Sequence, residues 1–283
     1  MDSKKSYTFQ RPEYFDLNQI FDCGQCFRFE KCDEKENLFE GIAYGKYISI
    51  AQTVSSITIT GTDAAEFDRV WKHYFAIDES YIGIRDNITK HLPNDATIRS
   101  AMEKGKGIRI LRQEPWETVC SFIISQNNNI PRIKKIISAL SEAFGEKILY
   151  GNKIYYAFPT AESLYEAGEE KIFALKTGFR AGYLYDAAKK VVTGELNLDR
   201  LSLYDTDELI QSLMSVKGIG PKVAACTALF GFGKNDAFPI DVWMKKVISK
   251  YYPGGLNRSD LGEYAGIAQQ YLFYYERFQV EKT

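Results

Sequence analysis

Apolar and polar positions alternate through residues 38–61, where LFEGIAY, KYISIAQ and SSITITG are separated by Gly45-Lys46 and a short Thr-Val link. Period two is the repeat of a pleated strand with one buried face, so this segment predicts an antiparallel meander. The period then changes. Asp63, with Glu66 three residues on, can cap a helix whose apolar positions Phe67, Val70, Trp71 and Phe75 recur at spacings of three and four. Helical periodicity dominates from there, predicting helices near 64–77, 81–91, 95–103, 115–125, 130–145, 160–166, 179–193, 205–215, 221–230, 242–252 and 259–278. The expected fold class is α+β: a small antiparallel β-rich N-terminal lobe over residues 1–105 and a helical body over 106–283, joined near EKGKGIRI at 103–110.

The chain has 283 residues, a soft prior for two domains, and its 45% hydrophobic and 26% charged content is that of a globular protein with a sizeable core. Its longest apolar stretch, residues 223–232, is far short of the roughly 20 residues a bilayer needs, so no membrane span is expected. Residues 1–10, MDSKKSYTFQ, lack the apolar core of a signal peptide, and the expectation is an intracellular protein whose five cysteines are thiols. Thirty-six basic residues stand against 37 acidic ones, a net charge of −1. No global field draws in nucleic acid, so a phosphate partner must be met by a local surface. Only His73 and His91 are available, both outside every motif below, which excludes histidine-based chemistry as a first expectation.

The most informative stretch is VKGIGPKVA at 216–224, a glycine-rich turn between two helical patterns. Gly218 and Gly220 permit positive φ and expose backbone N–H groups, Ile219 pins the turn to the core, and Pro221 suits the first position of the next helix. Such a turn presents free amides and the positive end of a helix dipole to an anion, although a plain interhelical turn can read the same way. Lys222 in the first turn opposes the dipole, a placement that favours the neutral amine a nucleophile requires; the plain alternative is a solvated lysine. Asp241, in FPIDVW, opens the next helix, where aspartate is a preferred N-cap and needs no further purpose. Cys226 follows Lys222 by four residues and shares its helix face, as a pocket residue or as a small buried hydrophobe. Cys23, Cys26 and Cys32 are not read as metal ligands: a fourth ligand is missing, no histidine is near, and Cys26 falls in an apparent strand.

Taken together with GQCFR at 24–28, NNNIPR at 127–132, GFRA at 178–181, PIDV at 239–242 and YAGIAQ at 264–269, the hairpin gives an ordered set over nearly the whole chain. The chain resembles the 8-oxoguanine DNA glycosylase/lyases of the helix-hairpin-helix superfamily. The resemblance implies that Lys222 attacks C1′ of the damaged nucleoside, that Asp241 stabilises charge on the sugar, and that Gly24, Cys226, Gln269 and Phe273 form the base pocket. It also implies that Asn127 and Phe179 fill the gap left by the extruded base, that Arg132 and Arg180 contact the opposite cytosine, and that Gly218, Gly220, Lys217 and Trp243 hold phosphate. Without the resemblance, Phe273 reads as core and the two arginines as surface charge.

Three departures from the family pattern stand out. Phe179 occupies a position usually held by tyrosine, Trp243 replaces a common histidine, and Lys217 stands where the hairpin usually carries proline. No cysteine follows Cys226, so the iron–sulfur cluster of some relatives is not expected. No organic cofactor and no catalytic metal are implied; the hairpin carbonyls of Met214, Val216 and Ile219 are a candidate site for a structural monovalent cation. The implied partner is double-stranded DNA containing 8-oxoguanine, bound by a DNA-associated monomer, with no membrane partner. The alternatives are a monofunctional alkylbase glycosylase, which lacks a lysine at the Lys222 position, and a non-catalytic hairpin module, which has no use for a base pocket.

Overall fold

The structure, a computed structural model, describes residues 5–33 and 37–280. Residues 1–4 of the segment read for a signal core lie outside the described residues; its remainder enters β1 (Ser6–Gln10). The predicted meander forms as β3 (Leu38–Ala43), β4 (Lys46–Gln52) and β5 (Ser56–Thr60). With β2 (Phe29–Asp33) it completes a five-stranded antiparallel sheet in the order β1-β5-β4-β3-β2. Phe39 opposes Ile50 and Ile50 opposes Ile59, so the alternation stacks branched and aromatic side chains on one face. Helix α1 (Leu17–Asp22) and a helix built from α2 (Ala64–Glu66), a π-helical turn (Phe67–Trp71) and α3 (Lys72–Tyr74) share the core of that face through Leu17, Ile20, Phe67, Trp71 and Phe75.

The helical body comprises α4 (Tyr81–His91), α5 (Ala96–Lys104), α6 (Pro115–Ser125), α7 (Ile130–Phe144), α8 (Ala161–Ile172), α9 (Arg180–Val192) and α10 (Leu198–Leu201). It continues through α11 (Thr206–Leu213), α12 (Pro221–Gly231), α13 (Val242–Tyr251), α14 (Arg258–Leu261) and α15 (Ala265–Val280). Helices α4 and α5 share their core with this body, since Ile84, Ile88, Ile98 and Ala101 pack in one cluster with Ala268, Tyr271 and Leu272 of α15. The chain passes from one core to the other near Phe75 and Ala76, although Cys23 and Phe27 pack in the helical core and Leu111 in that of the sheet. No helix among the described residues is long and apolar enough to cross a membrane.

Three local expectations differ from the structure. Helix α8 runs on to Ile172 because Gly168, at φ +80°, kinks the chain without ending it. A hairpin of β6 (Lys147–Tyr150) and β7 (Lys153–Tyr156), turning at Gly151 with φ +60°, forms where the sequence pattern predicts no strand. Its strands are too short for periodicity to register. Cys26 lies in the bend before β2 rather than in a strand.

The lobes are fastened by polar contacts that the motif GQCFR supplies. Buried Gln25 accepts from Leu111 N at 2.8 Å and donates to the carbonyls of Ile20 at 2.8 Å and Arg109 at 2.9 Å, fixing the loop after α1. Arg28 donates to the Tyr156 carbonyl and lies 3.5 Å from Glu117 Oε2 on α6. Burial nevertheless pushes the Glu117 carboxyl up to about 7; Arg28 opposes the shift and Glu114 adds to it. A carboxyl raised by folding contributes stability below its unfolded value, and that contribution is lost as pH rises through the folded one. Folding stability should therefore fall by on the order of 3 kcal/mol between about pH 4.5 and 7 from this group. Thermal melts at stepped pH should show that decline, and Glu117→Gln should flatten it; an unchanged profile in the variant would assign the decline elsewhere.

Candidate active site

The hairpin is built as its sequence demands. Helix α11 ends, a turn runs through Val216, Lys217 and Gly218, and α12 starts at Pro221 with Gly220 as an N-cap that lends no side chain. Gly218 has φ +81°, and a Cβ added there would overlap the ring of Tyr183 on α9. Glycine is thus required twice, by conformation and by packing. Ile219 is buried and its N–H donates to the Val216 carbonyl at 3.0 Å, while Lys217 N–H donates to Asp186 Oδ2 at 2.8 Å. Neither glycine amide has a donor role among the described residues, so both remain available to an anion at the positive end of α12.

Lys222 is the second residue of α12. Its Nζ lies 5.4 Å from the centroid of Phe122 on α6, and no carboxylate forms an ion pair with it among the described residues. Phe122 itself stacks on Phe230 at 5.4 Å and meets Phe27 edge-on at 6.0 Å, a rigid apolar backing for the amine that no sequence motif marks. One turn on, Cys226 is buried; burial raises its thiol, the Lys222 ammonium opposes that rise and the Asp241 carboxylate adds to it. Lysine, thiol and carboxylate therefore share one electrostatic neighbourhood. Asp241 is also the N-cap of α13: its Oδ1 accepts from Trp243 N at 3.0 Å and Met244 N at 2.8 Å. Its second oxygen, Oδ2, takes no part in the cap.

The recognition residues gather on the loop after α1 and on α15. Gly24 sits at φ +77°, and a Cβ built on it would lie 3.8 Å from the Phe273 ring, so the two are in contact. The carbonyls on either side are engaged, Cys23 O by Gln270 Nε2 at 2.5 Å and Gln25 O by Gln113 Nε2 at 2.7 Å. The Gly24 carbonyl accepts no hydrogen bond among the described residues. Gln269, four residues before Phe273, is 4% exposed and its buried Oε1 has no partner. An orphaned acceptor in the interior costs about 1–3 kcal/mol, a cost relieved by a ligand donor.

The residues expected around the opposite base divide into two kinds. Phe179 is 52% exposed at the start of α9, and Asn127 is exposed with φ +47° in the turn before α7. Arg132 is exposed, with no carboxylate partner among the described residues. Arg180 does not have the solvent-facing geometry expected of it. It is 2% exposed and donates to the carbonyls of Gln126 at 2.9 Å, Asn127 at 3.0 Å and Thr177 at 3.2 Å. Burial and the Arg132 charge both push its guanidinium below the usual range. The reason for the difference is local: the turn before α7 leaves the carbonyls of Gln126 and Asn127 without amide partners, the segment before α9 leaves that of Thr177, and one fork of donors reaches all three.

Trp243 is half-buried on α13, with Lys246 Nζ 4.4 Å from its ring centroid; its indole N–H makes no hydrogen bond among the described residues. Of the carbonyls considered for a cation, Val216 already accepts from Ile219, whereas those of Met214 and Ile219 accept no backbone bond outside helices among the described residues. No group of three or more His, Cys, Asp and Glu side chains suited to a metal occurs among the described residues.

A hairpin of free glycine amides that opens a helix, a lysine in that helix's first turn and an aspartate capping the next define a helix-hairpin-helix base excision fold. Residues 120–259 match the family model of the HhH-GPD superfamily base excision DNA repair proteins, and residues 8–119 match that of the 8-oxoguanine DNA glycosylase N-terminal domain. The chain belongs to the 8-oxoguanine DNA glycosylase family. It is similar to the solved structure of MBOgg1 in complex with a low affinity DNA ligand, at 38% identity over 99% of this chain and 98% of that one, with a TM-score of 0.92. The Clostridium acetobutylicum 8-oxoguanine glycosylase/lyase, in complex with double-stranded DNA containing cytosine opposite 8-oxoG, is 39% identical over 98% of this chain and 97% of its own, with a TM-score of 0.90. The Saccharomyces cerevisiae N-glycosylase/DNA lyase is 36% identical over 202 residues, 67% of this chain; the match spans only 53% of the yeast protein's length.

Proposed function

We propose that this protein is a bifunctional DNA glycosylase and lyase that excises 8-oxoguanine from duplex DNA and nicks the strand at the resulting site. The observation that carries the reading is a lysine without an ion-pair partner, seated between an aromatic face and a buried thiol beside a carboxylate with one uncommitted oxygen. The neutral Lys222 amine forms a bond to C1′ as the bond from C1′ to N9 breaks, the base leaving with the electron pair. Asp241 Oδ2 stabilises positive charge on the sugar during that step. The nitrogen then loses a proton and its electron pair expels O4′, which takes up a proton as the sugar ring opens, so that C1′ is held as an iminium; loss of a C2′ proton breaks the bond from C3′ to oxygen, and the 3′ phosphate departs by β-elimination.

Recognition rests on three groups. Oxidation of guanine at C8 turns N7 from an acceptor into an N–H donor, which the free Gly24 carbonyl would accept and which ordinary guanine cannot offer. The orphaned Gln269 Oε1 would accept from the N–H groups of the base's Watson–Crick edge, and the Phe273 ring, already against Gly24, would stack on it. Gly218 and Gly220 amides, the Trp243 indole and Lys217 would meet the backbone phosphates. A monovalent cation on the carbonyls of Met214 and Ile219 would add to that positive pole; no organic cofactor enters the reading.

Borohydride trapping on a duplex carrying 8-oxoguanine tests enzyme, substrate and mechanism together. A covalent protein–DNA complex is the expected product, and its absence alongside intact lesion binding would favour a monofunctional glycosylase. Arg132 and Arg180 are the contacts proposed for the opposite cytosine; Arg180 also holds the Asn127 turn, so Arg132 is the residue whose removal isolates opposite-base reading. Arg132→Ala is expected to lose about 1–3 kcal/mol of discrimination between cytosine and the other bases, with excision itself retained. Single-turnover excision opposite each of the four bases, at one fixed salt concentration, measures it. A preference unaltered in the variant would place opposite-base reading on another residue.

A further inference from the structure

Helix α9 carries more than the exposed Phe179. Phe179, Tyr183, Asp186 and Lys190 follow one another at intervals of four, three and four residues, a single stripe down the helix. The Phe179 ring lies against two neighbours: the Arg180 guanidinium, 4.4 Å from its centroid, and the Tyr183 ring, met edge-on at 5.7 Å. The same Tyr183 ring occupies the space where Gly218 would carry a Cβ. Below it, Asp186 accepts the Lys217 amide at 2.8 Å and Lys190 Nζ donates to the Ser215 carbonyl at 2.9 Å. The stripe thus joins the exposed aromatic to the phosphate-facing turn, with Tyr183 at the one point where both rest.

We propose that Tyr183 is a positioning residue that couples two DNA contacts, so that seating phosphate on the Gly218 turn and inserting Phe179 into the base stack occur as one event. Phe179 lacks the hydroxyl usual at its position, and its placement comes instead from the ring of Tyr183 and the guanidinium of Arg180. The Tyr183 ring is the working part. Its hydroxyl makes no hydrogen bond among the described residues, so Tyr183→Phe should behave like the parent. The inference rests on the DNA-repair reading above but does not depend on which lesion is excised.

The experiment measures fluorescence anisotropy on two duplexes, one undamaged and one carrying a tetrahydrofuran abasic analogue, whose gap a wedge fills whatever the lesion specificity. The ratio of the two affinities reports wedge insertion. Tyr183→Leu and Phe179→Ala should each reduce that ratio about tenfold, and the double variant should lower it by no more than a further twofold, because the residues act as a unit. Multiplicative losses in the double variant, or a parental ratio in Tyr183→Leu, would overturn the coupling. A second measurement uses only the exposed Phe179→Ala change, which leaves the core untouched: the protection from hydrogen exchange that the free Gly218 and Gly220 amides gain on binding the abasic duplex. Those amides should lose most of their protection in the variant; full protection would overturn the proposal even if Tyr183→Leu failed to fold. A parent that binds the abasic duplex selectively yet excises no 8-oxoguanine would instead remove the proposed lesion specificity and leave the coupling standing.

Discussion

Lys222→Gln is expected to abolish the borohydride-trapped complex completely. Glutamine keeps part of the aliphatic stem against Phe122 and removes only the amine, so the apolar backing of the site is preserved. The fold should not suffer. A cation in the first turn opposes the helix dipole, and its removal changes stability by no more than about 1 kcal/mol, in the favourable direction. Binding of lesion duplex should fall by less than tenfold, with the slope of affinity against salt reduced by at most about one counterion. Base release should slow by at least about a thousandfold, since the attacking atom is gone. Lys217, five residues earlier and exposed, is the natural control: Lys217→Gln should keep trapping intact while weakening phosphate contact. Trapping that survives in Lys222→Gln and disappears in Lys217→Gln would transfer the nucleophile to the turn itself.

The parts of this molecule that were legible in its sequence are those in which one physical cause acts locally. The meander at 38–61 follows from alternation about a buried face, and the run of helices from Tyr81 onward follows from spacings of three and four. The hairpin was legible because positive φ at Gly218, a proline opening a helix and a buried Ile219 leave few other conformations. What the sequence hid depends on partners distant along the chain. Phe122 in its helical pattern is indistinguishable from core, and only the packing of α6 on α12 brings its ring beneath the Lys222 amine. Arg180 reads as a contact for DNA from the family resemblance alone, and nothing in its sequence neighbourhood shows that it also donates to the carbonyls of Gln126, Asn127 and Thr177. The uncommitted Gly24 carbonyl and the orphaned Gln269 Oε1 are equally invisible to pattern, since an unmade hydrogen bond is defined by everything around it.

Asp241 is where the local reading and the chemical one both hold, and a single isosteric change separates them. The cap uses Oδ1, which accepts from two amides, and asparagine caps a helix as well as aspartate does. Asp241→Asn should therefore keep α13 in place, at a cost of about 0.3–1 kcal/mol from the lost charge at the helix N-terminus. The oxygen at stake is Oδ2, which becomes a neutral amide beside the sugar. Losing a fixed carboxylate where positive charge develops should slow base release by about 100- to 10,000-fold. Affinity for lesion duplex should hold or rise, because a negative charge near phosphate has been removed. Trapping on a preformed abasic site should be less affected than excision, since no glycosidic bond remains to be broken there. Single-turnover excision, duplex binding and a thermal melt on the same preparation distinguish the outcomes. A slow variant with a parental melt assigns Asp241 to the chemistry. A variant that loses activity only in proportion to unfolded protein leaves it as a cap, and Asp241→Ser, which retains a capping oxygen and carries no charge, would then restore the parental rate.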